Sequence, residues 1–381
     1  MNKTGLWPTF LFIMSKIDRQ FNASMRKKKI LIGSLISAIV IISIISLAIG
    51  ATQLSLSDIL HSIGHNLFPN MVSPPEYGPA ETIVIKIRLP RILTVILVGT
   101  ALGVAGTVMQ GLLKNPLVSP FTLGVSSAAS LGAVAAILFG SYMTFISGIN
   151  INLGFDYISG VTLVKILFAF VAGMISIIVI LTLSNNRHLS PSVMVLSGVV
   201  LGYFFQAGVM FMKYISDDSQ LRDATIWLMG GFAATDWVSF IILCPIVLIT
   251  TIMMLSCSVT LNSMSCGEEV ARNLGVNIES VRRYCLITIT FATCACMSFT
   301  GVIGFIGLMA PHICRMVIGN DHRYLIPCSA LMGSLILLIS DTVGRVIAAP
   351  SEMPVGVIMY LLGGVFFTYL IFNGRGRRLE S

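Results

Sequence analysis

Charged residues are scarce in this chain of 381 residues, of which Asp, Glu, Lys and Arg together make up 10%. Soluble domains carry about 25% charged residues, so this scarcity excludes a water-soluble surface over most of the chain. Apolar stretches of about 20 residues recur instead, and each is long enough to cross a hydrocarbon core. Because these stretches are continuous runs of Leu, Ile, Val, Ala and Gly, they predict spanning helices rather than the alternating strands of a barrel.

The motifs of catalysis and metal binding are also missing. The sequence contains no HExxH, no GxSxG and no G-x-x-x-x-G-K-[ST] phosphate loop, so we do not expect the chain itself to bind ATP. Its eight cysteines form no CxxC pair, and His312 has no second ligand at a convincing spacing. We therefore expect no catalytic residue, no metal site and no cofactor in this chain.

Ionisable residues are almost absent from the centres of the apolar stretches. Ion-coupled transporters usually carry buried carboxylates or lysines as relays, which disfavours a secondary transporter without excluding it. Asp341 and Arg345 stand four residues apart near one helix end, a spacing typical of a local ion pair.

The apolar stretches predict ten spanning helices. The segment 284–318 would be about 52 Å long as one helix at 1.5 Å per residue, which is too long for one crossing. Gly301, Gly304 and Gly307 interrupt it, so we divide it into two helices. The other eight spans are predicted at about 30–50, 91–113, 120–140, 161–183, 192–212, 237–257, 326–344 and 353–372.

The basic residues predict the orientation of the chain. With ten spans and an inner N-terminus, 17 of the 24 Lys and Arg residues fall on inner loops, tails and their margins. Both termini are basic, which requires an even number of spans. We expect residues 1–29 to be a basic cytoplasmic tail, 30–375 the transmembrane domain and 376–381 a second cytoplasmic tail, with the positive charge favouring anionic lipid over nucleic acid.

Two segments outside the spans predict short helices. Ser55-Leu56-Ser57-Asp58 reads as a capping box that starts a surface helix of about 12 residues, ending by Pro69. Ser265-Cys266-Gly267-Glu268 reads as another capping box in the longest inner loop. There Glu268 and Glu269 suit a first turn, and Gly275 suits a C-terminal stop. Taken alone, this inner helix could be an ordinary loop helix or a docking knob for a cytoplasmic partner.

Three glycines share one face of the second predicted span. Gly99, Gly103 and Gly106 are spaced so that a neighbouring helix backbone can approach closely. We expect this helix to be central in the bundle and the glycines to serve packing rather than substrate binding.

Eight motifs, taken in order from about residue 30 to 375, resemble the FecCD family of ABC-importer permeases, which includes cobalamin and haem permeases. Each motif is weak alone, and the ordered set is specific. The motifs are Arg88-Leu89-Pro90-Arg91, Gly106-Thr107-Val108-Met109-Gln110-Gly111 with Asn115-Pro116-Leu117, Pro120-Phe121-Thr122-Leu123-Gly124-Val125, Trp227-Leu228-Met229-Gly230-Gly231-Phe232, Gly267 to Val276, Gly304 to Arg315 with Asp321-His322-Arg323, Asp341-Thr342-Val343-Gly344-Arg345 and Pro354-Val355-Gly356-Val357.

The resemblance implies an all-α, ten-helix type II importer permease in the bacterial inner membrane. It also implies a dimer with a second copy or a related permease, two cytoplasmic ATPase subunits that bind ATP and Mg²⁺, and an extracytoplasmic binding protein. The missing phosphate loop is then expected, because ATP binds another chain.

The resemblance also implies roles for particular residues. Arg88, Arg91 and Arg345 match arginines that meet acidic residues of the binding protein, although anchoring of a helix end would also explain the first two. The gate at the cytoplasmic side is expected at Asn115, Leu117, Pro191 and Ser192, where the Ser190-Pro191-Ser192 loop departs from the cobalamin permease. The coupling helix, at about 265–275, is expected to present Glu268, Glu269, Val270, Ala271, Arg272, Leu274 and Gly275 to the ATPase.

The sequence therefore predicts a permease that imports an iron chelate, with a ferric siderophore as the first choice and haem or cobalamin as alternatives. An ion-driven secondary transporter is the alternative of another class, and a membrane enzyme is disfavoured by the lack of catalytic motifs.

Overall fold

The computed structural model of the protein describes residues 6–50, 52–140, 150–152, 157–185 and 190–373. The predicted tail 376–381 lies outside these residues. The described chain is almost entirely helical, with one short antiparallel hairpin. Its α-helices are α1 (Leu6–Ala48), α2 (Leu56–Leu67), α3 (Leu89–Leu113), α4 (Val125–Gly140), α5 (Gly160–Asn185), α6 (Pro191–Ile215), α7 (Asp218–Met229), α8 (Trp237–Ser256), α9 (Ser258–Ser265), α10 (Glu268–Asn273), α11 (Ile278–Thr300), α12 (Ile306–Ile318), α13 (His322–Ile347) and α14 (Val355–Asn373).

Eight helical segments of the described chain are long and apolar enough to cross a membrane. Two shorter apolar helices, α4 and α12, have 16 and 13 residues. The predicted division of the segment 284–318 is confirmed: α11 ends at Thr300, Gly301 adopts a left-handed φ of 69°, and α12 starts at Ile306. The eight candidate spans are Met25–Ala48, Thr82–Leu113, Gly160–Ser184, Pro191–Ile215, Trp237–Ser256, Ile278–Thr300, His322–Ile347 and Val355–Phe372.

The helix α3 is the centre of the bundle, as its glycines predict. Its span is 78% buried within the chain, compared with 17% for α6 and 28% for α14. It packs against α8, α11, α12 and α13. A π-helical segment of seven residues, Thr82–Arg88, leads into it without a break. The exposed apolar faces of α6 and α14 are left for lipid or for another protein chain.

The first helix is longer than its span. It runs without interruption from Leu6 to Ala48, so residues 6–29, expected as a tail, continue the same helix as the first span. At 1.5 Å per residue its 43 residues measure about 65 Å, roughly twice a hydrocarbon core.

The connecting segments carry the smaller elements. The helix α2 has the 12 residues predicted for it, and the Ser55 hydroxyl accepts a hydrogen bond from the Asp58 amide at 3.0 Å, which confirms the N-terminal cap. The polar segment before α8 forms α7, a helix that was not predicted from the sequence. The hairpin pairs Asn150–Asn152 with Tyr157–Ser159, with Ile151 opposite Ile158.

Side-chain contacts place two groups of polar residues at opposite ends of the bundle. Arg91, near the start of α3, contacts Asp341 near the end of α13. Glu268, at the start of α10, contacts Lys114, which follows the end of α3. The end with Arg91 is called the arginine end here, and the end with Glu268 is called the α10 end.

Candidate functional site

The short helix α10 forms where the sequence predicts it, although not for the reason predicted. Gly267 is its N-cap residue, and no side chain caps it. The predicted capping box at Ser265 is wrong, because Ser265 ends the preceding helix α9 and its hydroxyl donates to the Leu261 carbonyl. Gly275 stops the helix as predicted: its φ is +83°, and its amide donates to the Arg272 carbonyl at 2.9 Å.

A buried charge pair fixes α10 to the bundle. The Arg282 guanidinium is 1% exposed and donates to the Glu268 carboxylate at 3.0 Å. It also lies 3.4 Å from the Leu112 carbonyl oxygen at the end of α3. A buried guanidinium requires a charged partner, and Glu268 is that partner for Arg282. Through its contacts with Glu268 and Leu112, Arg282 ties α10 to the central helix α3. Ala271 is the other anchor and is fully buried.

The opposite face of α10 is open. Val270 is 46% exposed and Leu274 is 67% exposed, so these two larger side chains turn outward while Ala271 turns inward. Glu269, Arg272 and Gly275 are exposed as well. The helix therefore presents an apolar and charged face beyond the bundle, while its inner face is held by α3 and α11.

The residues expected at the gate lie near the same end. Asn115 follows Lys114, and its side-chain oxygen accepts a hydrogen bond from the Leu117 amide at 2.9 Å. Leu117 is left 56% exposed. Pro191 opens α6 at its first residue, where its fixed φ is favourable, and Ser192 beside it is exposed.

An acidic residue next to α13 joins three parts of the chain at the α10 end. The Asp321 carboxylate accepts hydrogen bonds from Arg323 at 3.0 Å, from Asn262 of α9 at 2.8 Å and from Lys28 of α1 at 3.3 Å. Arg323, followed by the bonds from Asn262 and Lys28, holds the pKa of this carboxyl well below its usual value. Lys28 also lies 4.5 Å from the centre of the Tyr324 ring. The sequence singled out Asp321 only as part of a motif, and its three partners were not predicted.

The three arginines expected to contact a binding protein do gather at one end, but their side chains are buried. Arg88, Arg91 and Arg345 are 4 to 6% exposed. Arg88 donates to the backbone carbonyls of Leu47 and Ala48 at the end of α1 and of Thr52 in the segment that follows it. These contacts hold the arginine ends of α1 and α3 together.

Two carboxylates pair with these arginines. Asp341, which is fully buried, accepts hydrogen bonds on both carboxylate oxygens: Oδ1 accepts from Arg91 Nη2 at 2.9 Å and from Nε at 3.1 Å, and Oδ2 accepts from Nε at 3.2 Å. It also lies 3.4 Å from Arg345 Nε. Glu352 accepts one hydrogen bond from Arg91 Nη1 at 2.7 Å, and its side chain is 37% exposed. The predicted pair of Asp341 with Arg345 is confirmed. The pairing of Arg91 with Asp341 and Glu352, which follow it by 250 and 261 positions, could not be predicted from the sequence. Arg88, Arg91, Arg345, Asp341 and Glu352 are called the arginine cluster here.

A cavity of about 690 Å³ opens beside the arginine cluster. Arg91, Glu352, Lys165 and Asp223 are among the residues that line it. Close backbone contacts bound it: the Gly231 amide donates to Thr300 at 2.8 Å, and the Gly356 amide donates to Gly230 at 3.3 Å. A volume of this size falls in the range of small-ligand sites.

The three glycines of α3 lie at backbone contacts. A Cβ atom on Gly99 would be 2.5 Å from Ser334 Cα, and one on Gly103 would be 2.2 Å from the Ser329 carbonyl oxygen, both on α13. Gly106 faces Gly307 of α12 in the same way. Side chains at these positions would force the helices apart.

Metal ligands are not grouped in the part of the chain that the structure describes: no three His, Cys, Asp or Glu residues are placed to hold an ion. His312 lies against aromatic rings, with its ring centre 6.0 Å from that of Phe366 and 6.3 Å from that of Phe367.

A family model, the FecCD transport family, matches residues 38–373. The chain belongs to this family. A hemin transport system permease of Yersinia pestis is 35% identical over 350 residues, covering 92% of this chain and 97% of the relative. An Fe(3+)-citrate import system permease of Bacillus subtilis is 33% identical over 351 residues, covering 91% of this chain and 96% of the relative.

A solved structure of similar fold is described as an inward-facing conformation of a metal-chelate type ABC transporter. It is 31% identical, has a TM-score of 0.72, and the alignment covers 91% of this chain and 99% of the solved one. The FecCD chain is thus a multi-pass membrane permease of an ABC importer rather than an enzyme, which confirms the resemblance seen in the motifs. ABC importer permeases work with ATPase and substrate-binding partners.

Proposed function

We propose that this FecCD permease imports an iron chelate, with a ferric siderophore as cargo, across a bacterial inner membrane. The observation that carries the proposal is the construction of α10, which is anchored by the pair Glu268–Arg282 and exposes Val270 and Leu274 outward. A helix of this kind suits the transfer of force, because its inner face is fixed to the bundle while its outer face can enter a groove of an ATPase.

Ten crossings fit this proposal. The eight long spans account for eight of them, and the shorter helices α4 and α12 would supply the other two. Both ends of the chain would then lie in the cytoplasm, together with α10, and the arginine end would face outward. The long helix α1 would extend its basic N-terminal part beyond the inner leaflet.

The transport cycle is alternating access in a dimer. Binding of ATP closes two partner ATPases, which move the outer face of α10, and Arg282 carries this movement to α3 and α11. The exposed apolar faces of α6 and α14 are candidates for the contact with the second permease copy or a related permease. Asn115, Leu117, Pro191 and Ser192 would form the cytoplasmic gate near the ends of α3 and α6.

The arginine cluster is the proposed docking area for an extracytoplasmic binding protein. Its three guanidinium groups outnumber its two carboxylates, so the area carries a net positive charge that would attract acidic side chains. Because Arg88, Arg91 and Arg345 are buried within the chain, docking would act on them through the more exposed Glu352.

Haem is the second candidate cargo, favoured by the similarity to the hemin permease. The test is the ATPase activity of the chain in nanodiscs with its partner ATPase and binding protein, offered ferric siderophores, haem and cobalamin in turn. We expect a ferric siderophore to stimulate hydrolysis. Stimulation by haem or cobalamin alone would identify that compound as the cargo instead of a siderophore. Failure to assemble with any ATPase would contradict the proposal that the chain is part of an importer.

A further inference from the structure

The two carboxylates on Arg91 are held very differently. Asp341 is fully buried and accepts hydrogen bonds from the guanidinium on both of its carboxylate oxygens, whereas Glu352 accepts one bond and its side chain is 37% exposed. Exposed ion pairs are weak, and buried pairs with two parallel bonds are strong. An external carboxylate that reached Arg91 would therefore replace Glu352 and leave Asp341 in place.

An external carboxylate can reach the Arg91–Glu352 pair from solvent. Arg91 and Glu352 both line the cavity of about 690 Å³ at the arginine end, so an acidic side chain can reach the pair without opening the bundle. The cluster also favours an added anion, because it holds three guanidinium groups and two carboxylates. Arg88, whose hydrogen bonds go to backbone carbonyls, contributes positive charge to the cluster.

Backbone hydrogen bonds hold the segment that contains Glu352 against the bundle. The next residue, Met353, donates its amide hydrogen to the Gly344 carbonyl of α13 at 3.0 Å. Three residues after Glu352, α14 begins at Val355, which is buried, and Gly356 donates to Gly230 at 3.3 Å. A movement of Glu352 is therefore passed over three residues to the start of α14.

The helix α14 is one of the less enclosed helices of the chain. Only 28% of its span is buried within the chain, and it exposes a row of large apolar side chains. The exposed side chains of that row include Leu361, Val365 and Tyr369.

We propose that Glu352 is a latch that occupies, in the undocked permease, the place on Arg91 taken by a carboxylate of the docking protein, and that its release loosens segment 348–354 and the start of α14. The inference rests on the proposed function in that the docking partner is the binding protein. It adds an internal competitor to that contact and a route from the docking surface to α14.

The first test measures affinity. The permease with its ATPase subunits is placed in nanodiscs and titrated with the binding protein that supports its uptake in proteoliposomes. Glu352→Gln removes the competing charge, so we expect its Kd to be about 1.5-fold to fivefold lower than wild type, the range given by loss of one weak ion pair. Glu76→Gln, on an exposed glutamate of the segment between α2 and α3, is the control and should bind as wild type does.

The second test needs no partner. Hydrogen exchange of the Met353 and Gly356 amides should be several-fold faster in Glu352→Gln than in wild type or Glu76→Gln, because a neutral and weaker hydrogen bond replaces the ion pair between the segment and Arg91. If Glu352→Gln does not fold, Glu352→Asp, one methylene shorter, should shift both quantities in the same direction.

The two outcomes separate the latch from the proposed function. A wild-type Kd in Glu352→Gln, or unchanged exchange at Met353, would overturn the latch while leaving the importer intact. If the wild-type permease bound no binding protein, the proposed function would be contradicted. The hydrogen-exchange measurement at Met353 and Gly356 would then be the test of whether Glu352 holds its segment in place.

Discussion

Gly106 on α3 and Gly307 on α12 are in backbone contact: a Cβ atom on Gly106 would lie 1.8 Å from the Gly307 carbonyl oxygen. The same carbonyl accepts a hydrogen bond from the side-chain Nε2 of Gln110 at 3.1 Å, one turn further along α3. Gln110 in turn accepts a bond from Arg315 at 3.0 Å, near the end of α12. The two helices are thus joined along their length by contacts that tolerate no side chain at Gly106.

Substitution of Gly106 by alanine should destabilise the permease. The added methyl group has no space, so we expect a loss of about 1–3 kcal/mol or more, as for other overpacked cores. Thermal unfolding in detergent would measure it. Gly33→Ala on α1, where a Cβ meets nothing within 4 Å, is the control and should be neutral or slightly stabilising. Equal stability of the two variants would contradict the packing role.

The two neighbouring glutamates of α10, Glu268 and Glu269, should differ sharply in their contribution to the stability of the fold. Glu268→Gln removes the charged partner of the buried Arg282, so we expect a loss of about 1–3 kcal/mol in stability. Glu269→Gln changes an exposed side chain and should cost less than about 0.5 kcal/mol. Chemical unfolding of the two variants side by side would show this, and similar losses would mean that the Glu268–Arg282 pair does not anchor the helix.

The outer face of α10 should matter for transport rather than for folding. Leu274→Asp places a charge on a side chain that is 67% exposed, so the fold should survive while ATP hydrolysis and uptake become uncoupled. We expect uptake per ATP to fall about tenfold or more, as when a central interface contact is lost. Leu67→Asp, on an equally exposed leucine of α2 at 65%, is the control. Normal coupling in Leu274→Asp would remove α10 from the ATPase contact.

Asp321 should contribute stability that depends on pH. Its pKa is lowered in the folded chain, so its contribution is complete above the usual Asp pKa and is lost as pH falls through the folded value. Asp321→Asn should therefore be less stable than wild type at pH 7, by about 1–3 kcal/mol, and the difference should shrink at pH 3. Thermal unfolding at both pH values would measure it, and a difference that grew towards low pH would contradict the assignment.

Much of the architecture could be predicted from the sequence, because continuous apolar runs and glycine breaks act locally. The division at Gly301, the length of α2 and the stop of α10 at Gly275 all follow from such signals. The capping box at Ser265 failed because α9 extends to that residue and uses its hydroxyl, a choice that depends on the preceding helix.

The charged contacts could not be predicted in the same way. Arg91 is separated from Asp341 by 250 residues and from Glu352 by 261, so only the fold brings them together. The same holds for Arg282, whose partner Glu268 precedes it by 14 residues across a turn of the chain. Sequence reasoning found Arg88, Arg91 and Arg345 through a family motif, but it could not show that their side chains are buried.

The most direct test is uptake by proteoliposomes. Their membrane holds the permease with its ATPase facing the lumen, the lumen contains ATP, and the binding protein and a ferric siderophore are outside. The account predicts accumulation of iron that requires ATP and persists when ionophores remove every ion gradient. Accumulation that continued without ATP and collapsed with the proton gradient would contradict it and favour an ion-driven transporter.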